Sequence, residues 1–410
     1  LLYCELINII AYKLNIVEYR VVQSEIAGKP ASPALSAYHN GFVTPFKNKT
    51  LHREENMENK RIPAAKAAAT YIGVVVGAGF ATGQEMLQFF VRFGPMGVAG
   101  ILLATALFIL FGFIIMDLGR ELKASSHLEI IRYAGGRFLG FFMDLLISFF
   151  LFGSLTAMIA GTGALFKEQL NLPSLAGNLV MCAFTALTVM SGIRGVVNSI
   201  SFVVPLLLIS VVGISLYSIA ASPPAVFFSY HGGTGGGLLS GWLMSAVVYV
   251  SYNIIISASI LGPLGMNTGD RKAIKYGAIL GGMGLGLASF MIHLALTVNY
   301  SEVSRLEVPM IFIAGRISEA VRSIYAVILV CEIYTTAVGS LYGFVSRIGG
   351  IKKVDIGEKS LILVSSSVAL LASQLGFSNM VKYLYPLVGY GGTVFLLSLI
   401  YVKIRKRPFG

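Results

Sequence analysis

Two carboxylates stand where the surrounding residues are apolar. Glu85 follows Gln84 in the run Thr70-Tyr-Ile-Gly73-Val-Val-Val76-Gly77-Ala78-Gly79-Phe-Ala-Thr-Gly83-Gln84-Glu85. Four glycines (73, 77, 79 and 83) break up that run, and each weakens a helix by up to ~1 kcal/mol relative to alanine. Glycines clustered before a polar pair predict a helix that stops and restarts. Unwinding frees backbone N–H and C=O groups, which an apolar medium tolerates only beside a cavity or a ligand. The restarted helix would aim its positive end at an anion such as a substrate carboxylate, and the freed carbonyls suit a cation. Gly73 and Gly77 also form a G-x-x-x-G pair, so close helix packing is the competing explanation for the glycines. Glu332 precedes Tyr334, Thr335 and Thr336. Its ionisable group beside hydroxyls favours a functional role. Tyr249, Ser251, Tyr252 and Asn253 form a further polar group, with the two tyrosines three apart on one helical face. They line a pocket or simply pack. Asp144 and His293 read as satisfied packing residues.

The elements that position these groups are membrane spans. The chain has 410 residues, 56% hydrophobic and 12% charged, against roughly 25% charged in soluble domains. A stretch of ~20 apolar residues crosses the hydrocarbon layer. Ten such blocks fall at about 66–91, 97–117, 138–165, 175–191, 196–221, 238–262, 274–299, 318–346, 359–376 and 380–402. From Met57 onward, 19 Lys and Arg fall on one side of these spans and 6 on the other. The basic side is cytoplasmic by the positive-inside rule, which places both termini inside and agrees with an even number of spans. This topology accounts for the net charge of +12 without nucleic acid. Residues 120–137 read as a basic, partly amphipathic segment on the inner membrane surface, and 301–317 as a short outer helix. The Gly/Pro-rich segment 222–237 divides the bundle into five spans plus five. An odd number per half forces opposite orientations, the arrangement of inverted-repeat transporters. The repeat halves are about 57–221 and 238–402.

Residues 1–56 differ from the rest: they are mixed and weakly periodic, with no span. Arg53-Glu54-Glu55-Asn56 before Met57 can be encoded by a purine-rich run resembling a bacterial ribosome-binding site. The expectation is a non-native or disordered leader ahead of a ten-helix domain, 57–410. Cys4, Cys182 and Cys331 have no disulfide or metal spacing.

The motif Gly73-x-x-Val76-Gly77-x-Gly79 resembles the first-helix break of LeuT-like transporters in the amino acid–polyamine–organocation superfamily. The longer run Gly77 to Glu85 is similar to a narrower group, the YkvI-type amino-acid permeases of bacteria, from about Met57 to the C-terminus. The resemblance implies a 5+5 inverted repeat with helices one and six broken. It implies a sodium ion held by the backbone of Gly73 and Val76, by the hydroxyls of Thr335 and Thr336, and by the Glu332 carbonyl. It also implies a substrate carboxylate at Gly77, Ala78 and Gly79, faced by Tyr249, Tyr252 and Asn253. Gln84 and Glu85 join the expected substrate set. There are departures. Span six has no glycine at the expected break, only Gly262-Pro263 lower down. Helix three shows Gly153 and Ser154 where an aromatic residue is expected. Glu332 replaces a small residue, so the carboxylate either helps to hold sodium, or Glu332 or Glu85 carries a coupling proton.

The expected function is secondary active transport of an amino acid or related small zwitterion across a bacterial plasma membrane, coupled to Na+ or H+, with no other cofactor. The competing class is a sensor or receptor on a transporter scaffold. The sequence has no H-E-x-x-H, G-x-S-x-G or Walker loop, so an intramembrane enzyme is disfavoured. A channel would line its pore with polar residues more regularly. Substrate identity, transport direction and oligomeric state are not encoded legibly.

Overall fold

The computed structural model describes residues 62–124, 127–191, 194–222, 238–349 and 357–405. The expected leader and nearly all of the Gly/Pro-rich divider lie outside these residues. The described residues fold into helices and short connections. The first span is three pieces: α1 (Ala64–Val75), α2 (Ala78–Ala81) and α3 (Gln84–Phe89). There follow α4 (Pro95–Glu121), α5 (His127–Leu170), α6 (Ser174–Met190) and α7 (Arg194–Ala220). The second half holds α8 (Trp242–Thr268), α9 (Arg271–Val298), α10 (Tyr300–Val303), α11 (Pro309–Ile317), α12 (Glu319–Gly349) and α13 (Glu358–Ala372). It ends with α14 (Phe377–Asn379), a π-helical turn at Met380–Leu384, and α15 (Tyr385–Arg405).

Among the described residues, α4, α5, α8, α9, α12 and the run Phe377–Arg405 are each long and apolar enough to cross a membrane alone. The others reach that depth only in combination, as α1 to α3 do, or are shorter apolar helices, as α6 is. Their outward faces carry Phe138, Phe141, Leu102, Leu187, Leu287 and Leu371, all exposed. Such a belt belongs against lipid, because water would drive it to aggregate. This is an all-helical membrane protein with several spans.

Local chemistry explains the element boundaries. Pro95 opens α4, where its missing N–H costs nothing. Asp270 caps α9, its carboxylate accepting from the Lys272 and Ala273 backbone N–H at 3.1 and 3.3 Å. Inside α5, Gly135 and Gly136 leave helical geometry, and Gly136 has φ +71°, a left-handed conformation open to glycine. That kink separates 127–134 from the span proper. The amphipathic inner segment is therefore present, but it does not lie free on the membrane surface. Ile130 and Ile131 are fully buried, and the Ile130 side chain packs at Gly262 on α8.

Helix six corrects an expectation. No break interrupts α8 from Trp242 to Thr268. No glycine lies between Gly241 and Gly262, and Asn253 donates to the Tyr249 carbonyl of its own helix at 3.0 Å, which reinforces the turn where unwinding was expected. Gly262 serves packing instead. A Cβ on Gly119 of α4 would fall 2.0 Å from the Gly262 carbonyl oxygen, and one on Gly265 would fall 1.9 Å from that of Met116. The glycines of α9 also allow close contact, Gly281 against Tyr71 and Gly286 against Thr105.

Ion pairs tie one end of the bundle. Asp117 on α4, with a fully buried side chain, meets Arg120 at 2.9 Å, Lys403 of α15 at 2.6 Å and Arg271 of α9 at 3.5 Å. Asp144 on α5 pairs with Arg347 of α12, so its carboxylate is satisfied, but its side chain is half exposed and not packed as expected. All four cations belong to the side read as cytoplasmic. Carboxylates organise the opposite end as well. Glu168 of α5 accepts from the backbone N–H of Glu307 at 2.7 Å and Val308 at 3.3 Å, just before α11. Glu307 in turn accepts from Phe377 at 2.7 Å and Ser378 at 3.2 Å, capping the last span. The expected short outer helix is α11.

The α4–α8 contact gives a test. Gly119→Val must push two backbones apart, and overpacking of this kind costs about 1–3 kcal/mol. The thermal unfolding midpoint in detergent is expected to fall clearly, whereas Gly213→Val, where a Cβ meets nothing within 4 Å, is expected to leave it nearly unchanged.

Candidate functional site

The broken first span is the centre of the site. α1 ends at Val75. Val76 (φ −74°, ψ 117°) and Gly77 (φ −136°, ψ −172°) are extended, and α2 begins at Ala78. Among the described residues no hydrogen bond reaches the carbonyls of Gly73, Val74, Val75 or Val76. These are the acceptors that an uninterrupted helix would have used. A Cβ at Gly77 would meet nothing within 4 Å, so the break opens onto space.

The sequence suggests one interruption, and the structure has two. The second is at Gly83, whose φ of +82° lies in the left-handed region. A Cβ there would also fall 2.8 Å from Met310 Cγ. Thr82 bridges the joint: its hydroxyl donates to the Gly79 carbonyl at 2.9 Å and accepts from Gln84 N–H at 3.3 Å. The outer segment is bonded to the same joint. Met310 N–H donates to the Thr82 carbonyl at 3.1 Å, and the Gln84 side chain donates to the Leu306 carbonyl at 3.3 Å. Tyr325 of α12 donates to the Ala81 carbonyl. The short helix α2 is thus held from α11 and α12, and two non-helical joints separate it from α1 and α3.

The second joint turns Glu85 back over α2. A Cβ on Gly79 would fall 2.2 Å from Glu85 Oε1, so any side chain there would displace the carboxylate. Glu85 is 5% exposed, and its Oε2 has no hydrogen-bond partner. The hydroxyls of Tyr249 and Tyr252 on α8 face the carboxyl group, but the Tyr252 hydroxyl makes no hydrogen bond either. Around them is a set of aromatic rings. Phe89 lies 5.3 Å from Tyr249 and 5.7 Å from Tyr252, and Phe90 lies 5.0 Å from Tyr249. Phe150 of α5 stacks on Tyr252 at 6.1 Å, and Tyr385 of α15 lies 5.2 Å from Tyr252. Removing a bare carboxylate from water into such a place costs several kcal/mol unless a cation or a proton neutralises it. The arrangement can hold a cationic group against the rings or pass a proton.

The expected residues do not all converge. Gly79, Glu85, Tyr249 and Tyr252 come together, beside Ala78 and the opening at Gly77. Gln84 is turned to the outer segment, and the Asn253 amide donates within its own helix. On α12, Thr335 donates to the Glu332 carbonyl at 3.0 Å, so a local bond occupies that oxygen, one of the expected sodium ligands. Glu332 is 4% exposed with an unpartnered Oε2. α12 meets the broken span mainly through α2, and no hydrogen bond among the described residues links Gly73 or Val76 to Thr335 or Thr336. His293 is buried with Nδ1 unpartnered, next to Gly97. Sequence reasoning missed Phe89, Phe90, Phe150 and Tyr385. Helix three does offer an aromatic residue, Phe150, one turn before Gly153. In an apolar span an aromatic residue carries no mark that separates lining from packing.

Comparison with known proteins agrees with this architecture. The chain is 30% identical over 354 residues to the uncharacterized membrane protein YkvI of Bacillus subtilis, covering 86% of this chain and 99% of YkvI. The chain belongs to the YkvI family. YyaD of the same organism, also uncharacterized, is 27% identical over 339 residues, covering 82% of this chain and 96% of YyaD. No protein-family model matches. Among solved structures, a Na+-coupled sialic acid symporter in a substrate-bound outward-open state has a TM-score of 0.56 at 16% identity, covering 83% of this chain and 79% of its own. MhsT in complex with L-phenylalanine has 0.56 at 15%, covering 81% and 87%. A variant of the Eremococcus coleocola manganese transporter has 0.52 at 12%, covering 82% and 78%. The fold is that of LeuT-like secondary transporters.

The two joints predict different responses to one methyl group. Gly83→Ala places alanine in the left-handed region at a cost of about 1–2 kcal/mol, before the Met310 contact is counted, and is expected to lower the unfolding midpoint. Gly77→Ala has an ordinary φ and open space, and is expected to leave the midpoint where it is. Equal midpoints for the two variants would contradict the geometry.

Proposed function

We propose that the protein is a secondary active transporter of an amino acid or related small zwitterion, working by alternating access with Na+ or H+ as the coupling ion. The observation that carries this reading is the break at Val76–Gly77, with unused carbonyls on one side and the Glu85–tyrosine cluster on the other. In that reading the substrate carboxylate meets the backbone of Gly77, Ala78 and Gly79. Its ammonium group faces Glu85 within the rings of Tyr249, Tyr252 and Phe89. Both ends of a zwitterion are then matched by groups a few residues apart. The solved relatives named above move or bind chemically different solutes, so the fold alone does not select this class. What supports the amino-acid reading is the pairing of the backbone opened at Val76–Gly77 with the buried Glu85 carboxylate.

Coupling has two routes. Sodium would use the Gly73 and Val76 carbonyls with the Thr335 and Thr336 hydroxyls, and Glu332 would add charge. A proton would reside on Glu85 or Glu332. The repeat halves 57–221 and 238–402, both termini in the cytoplasm, and a bacterial plasma-membrane location complete the proposal.

Uptake of labelled amino acids into proteoliposomes, with sodium and proton gradients imposed separately, tests it. Sodium-driven uptake that is lost in Thr336→Ala is the result expected of the cation route. Proton-driven uptake lost in Glu85→Gln or Glu332→Gln is the result expected of the carboxylate route. In either case Gly77→Ala, stable by the argument above, is expected to reduce uptake by tenfold or more, since ~1.4 kcal/mol of lost substrate binding gives about a factor of ten. Folded protein that moves no amino acid under either gradient would remove the proposed substrate class.

A further inference from the structure

A second feature lies away from the broken span, on the lipid-facing side of the α4–α9 contact. A cavity of about 580 Å³ opens there. Its wall is Ala106, Ile109, Leu110 and Phe113 of α4 with Ile279 of α9, and its rim is Arg271, Lys272 and Lys275. The separation of chemistry along the groove is sharp. The three cations occupy the first turns of α9, and the apolar wall begins beside them and continues toward the middle of the bilayer. From Phe113 to Ala106, α4 rises about 10 Å, which is the depth of a headgroup followed by the first part of an acyl chain.

Three positive charges around an apolar slot match a ligand with an anionic head and a hydrocarbon tail. Arg271, Lys272 and Lys275 are exposed, and no described carboxylate pairs with Lys272 or Lys275. Arg271 reaches Asp117 at 3.5 Å and lies 6.0 Å from the centre of the Phe113 ring, so its guanidinium stands between the ion-pair cluster and the groove. A zwitterionic headgroup would bring its own cation against these three. A soluble anion would leave the apolar wall uncovered. We infer that the α4–α9 groove is a binding site for one anionic phospholipid, with the phosphate among Arg271, Lys272 and Lys275 and an acyl chain along Ile109, Leu110 and Phe113. Basic pockets between spans take up anionic headgroups by this physics. The lipid joins α4 to α9, the same two helices that Asp117 and Arg271 link a turn below.

The test is thermal unfolding of the full chain in a neutral detergent with added phosphatidylglycerol, phosphatidylcholine or inorganic phosphate. The expected result is a saturable rise in midpoint with phosphatidylglycerol and none with the other two at matched concentration. Lys272→Gln with Lys275→Gln is expected to raise the half-saturating concentration by roughly thirtyfold and to leave the lipid-free midpoint in place. Should the double variant alter the lipid-free midpoint, Leu110→Trp, which fills the slot and keeps every charge, must also weaken the response. An equal rise with phosphatidylcholine overturns the proposal in favour of a tail-only site. An equal rise with phosphate overturns it in favour of a free-anion site. A phosphatidylglycerol response unchanged in both variants places the lipid elsewhere and overturns it as well.

Discussion

Everything distinctive in this molecule follows from one constraint: in lipid, a backbone N–H or C=O without a partner is costly. Most of the described helices satisfy it within themselves, with a kink in α5 and a π turn before α15. The first span does not. Among the described residues it leaves four carbonyls at the end of α1 without hydrogen bonds and restarts as a four-residue helix. Such a segment persists only because its surroundings hold it. Tyr325 bonds to Ala81, Met310 to Thr82, Gln84 to Leu306, and Ser245 of α8 to Phe89. These bonds hold the short helix and the one after it from neighbouring elements.

The two ends of the bundle are secured in different ways. On the side read as cytoplasmic, one buried carboxylate, Asp117, gathers cations from three helices. On the other, Glu168 and Glu307 bind backbone N–H groups in series, from α5 through the outer segment to the last span. The first set are ion pairs between side chains, and the second are carboxylates on backbone N–H groups. The joints at Val76–Gly77 and Gly83 lie between these two anchored ends.

The sequence revealed the parts whose cause is local. Glycine spacing and Gln84-Glu85 located the first break, and the long apolar blocks marked the helices long enough to cross a membrane. Asp144 was readable as satisfied because its depth sets it near the basic side. Other features depend on contacts between distant segments, and single-chain patterns do not carry them. The ring cluster around Glu85 adds Phe89, Phe150 and Tyr385, from three further spans, to the expected Tyr249 and Tyr252, and each of the three is an ordinary apolar-span residue by itself. The second joint at Gly83 was hidden because a positive φ leaves no mark beyond the glycine. The unbroken α8 was misjudged by resemblance, although its own residues, with no central glycine, had argued for continuity. The short Thr335–Glu332 bond on α12 was likewise invisible, since it depends on a side-chain rotamer.

The most direct measurement of the central claim is cysteine labelling at the break. Gly77→Cys would be made in a chain whose own cysteines are replaced, reconstituted in vesicles, and exposed to a water-soluble thiol reagent with and without a mixture of the standard amino acids. A solute path through Val76–Gly77 predicts labelling that the mixture suppresses, and that changes with the imposed sodium or proton gradient. A thiol that never reacts from either side, or that reacts at the same rate with and without amino acids under both gradients, would contradict it.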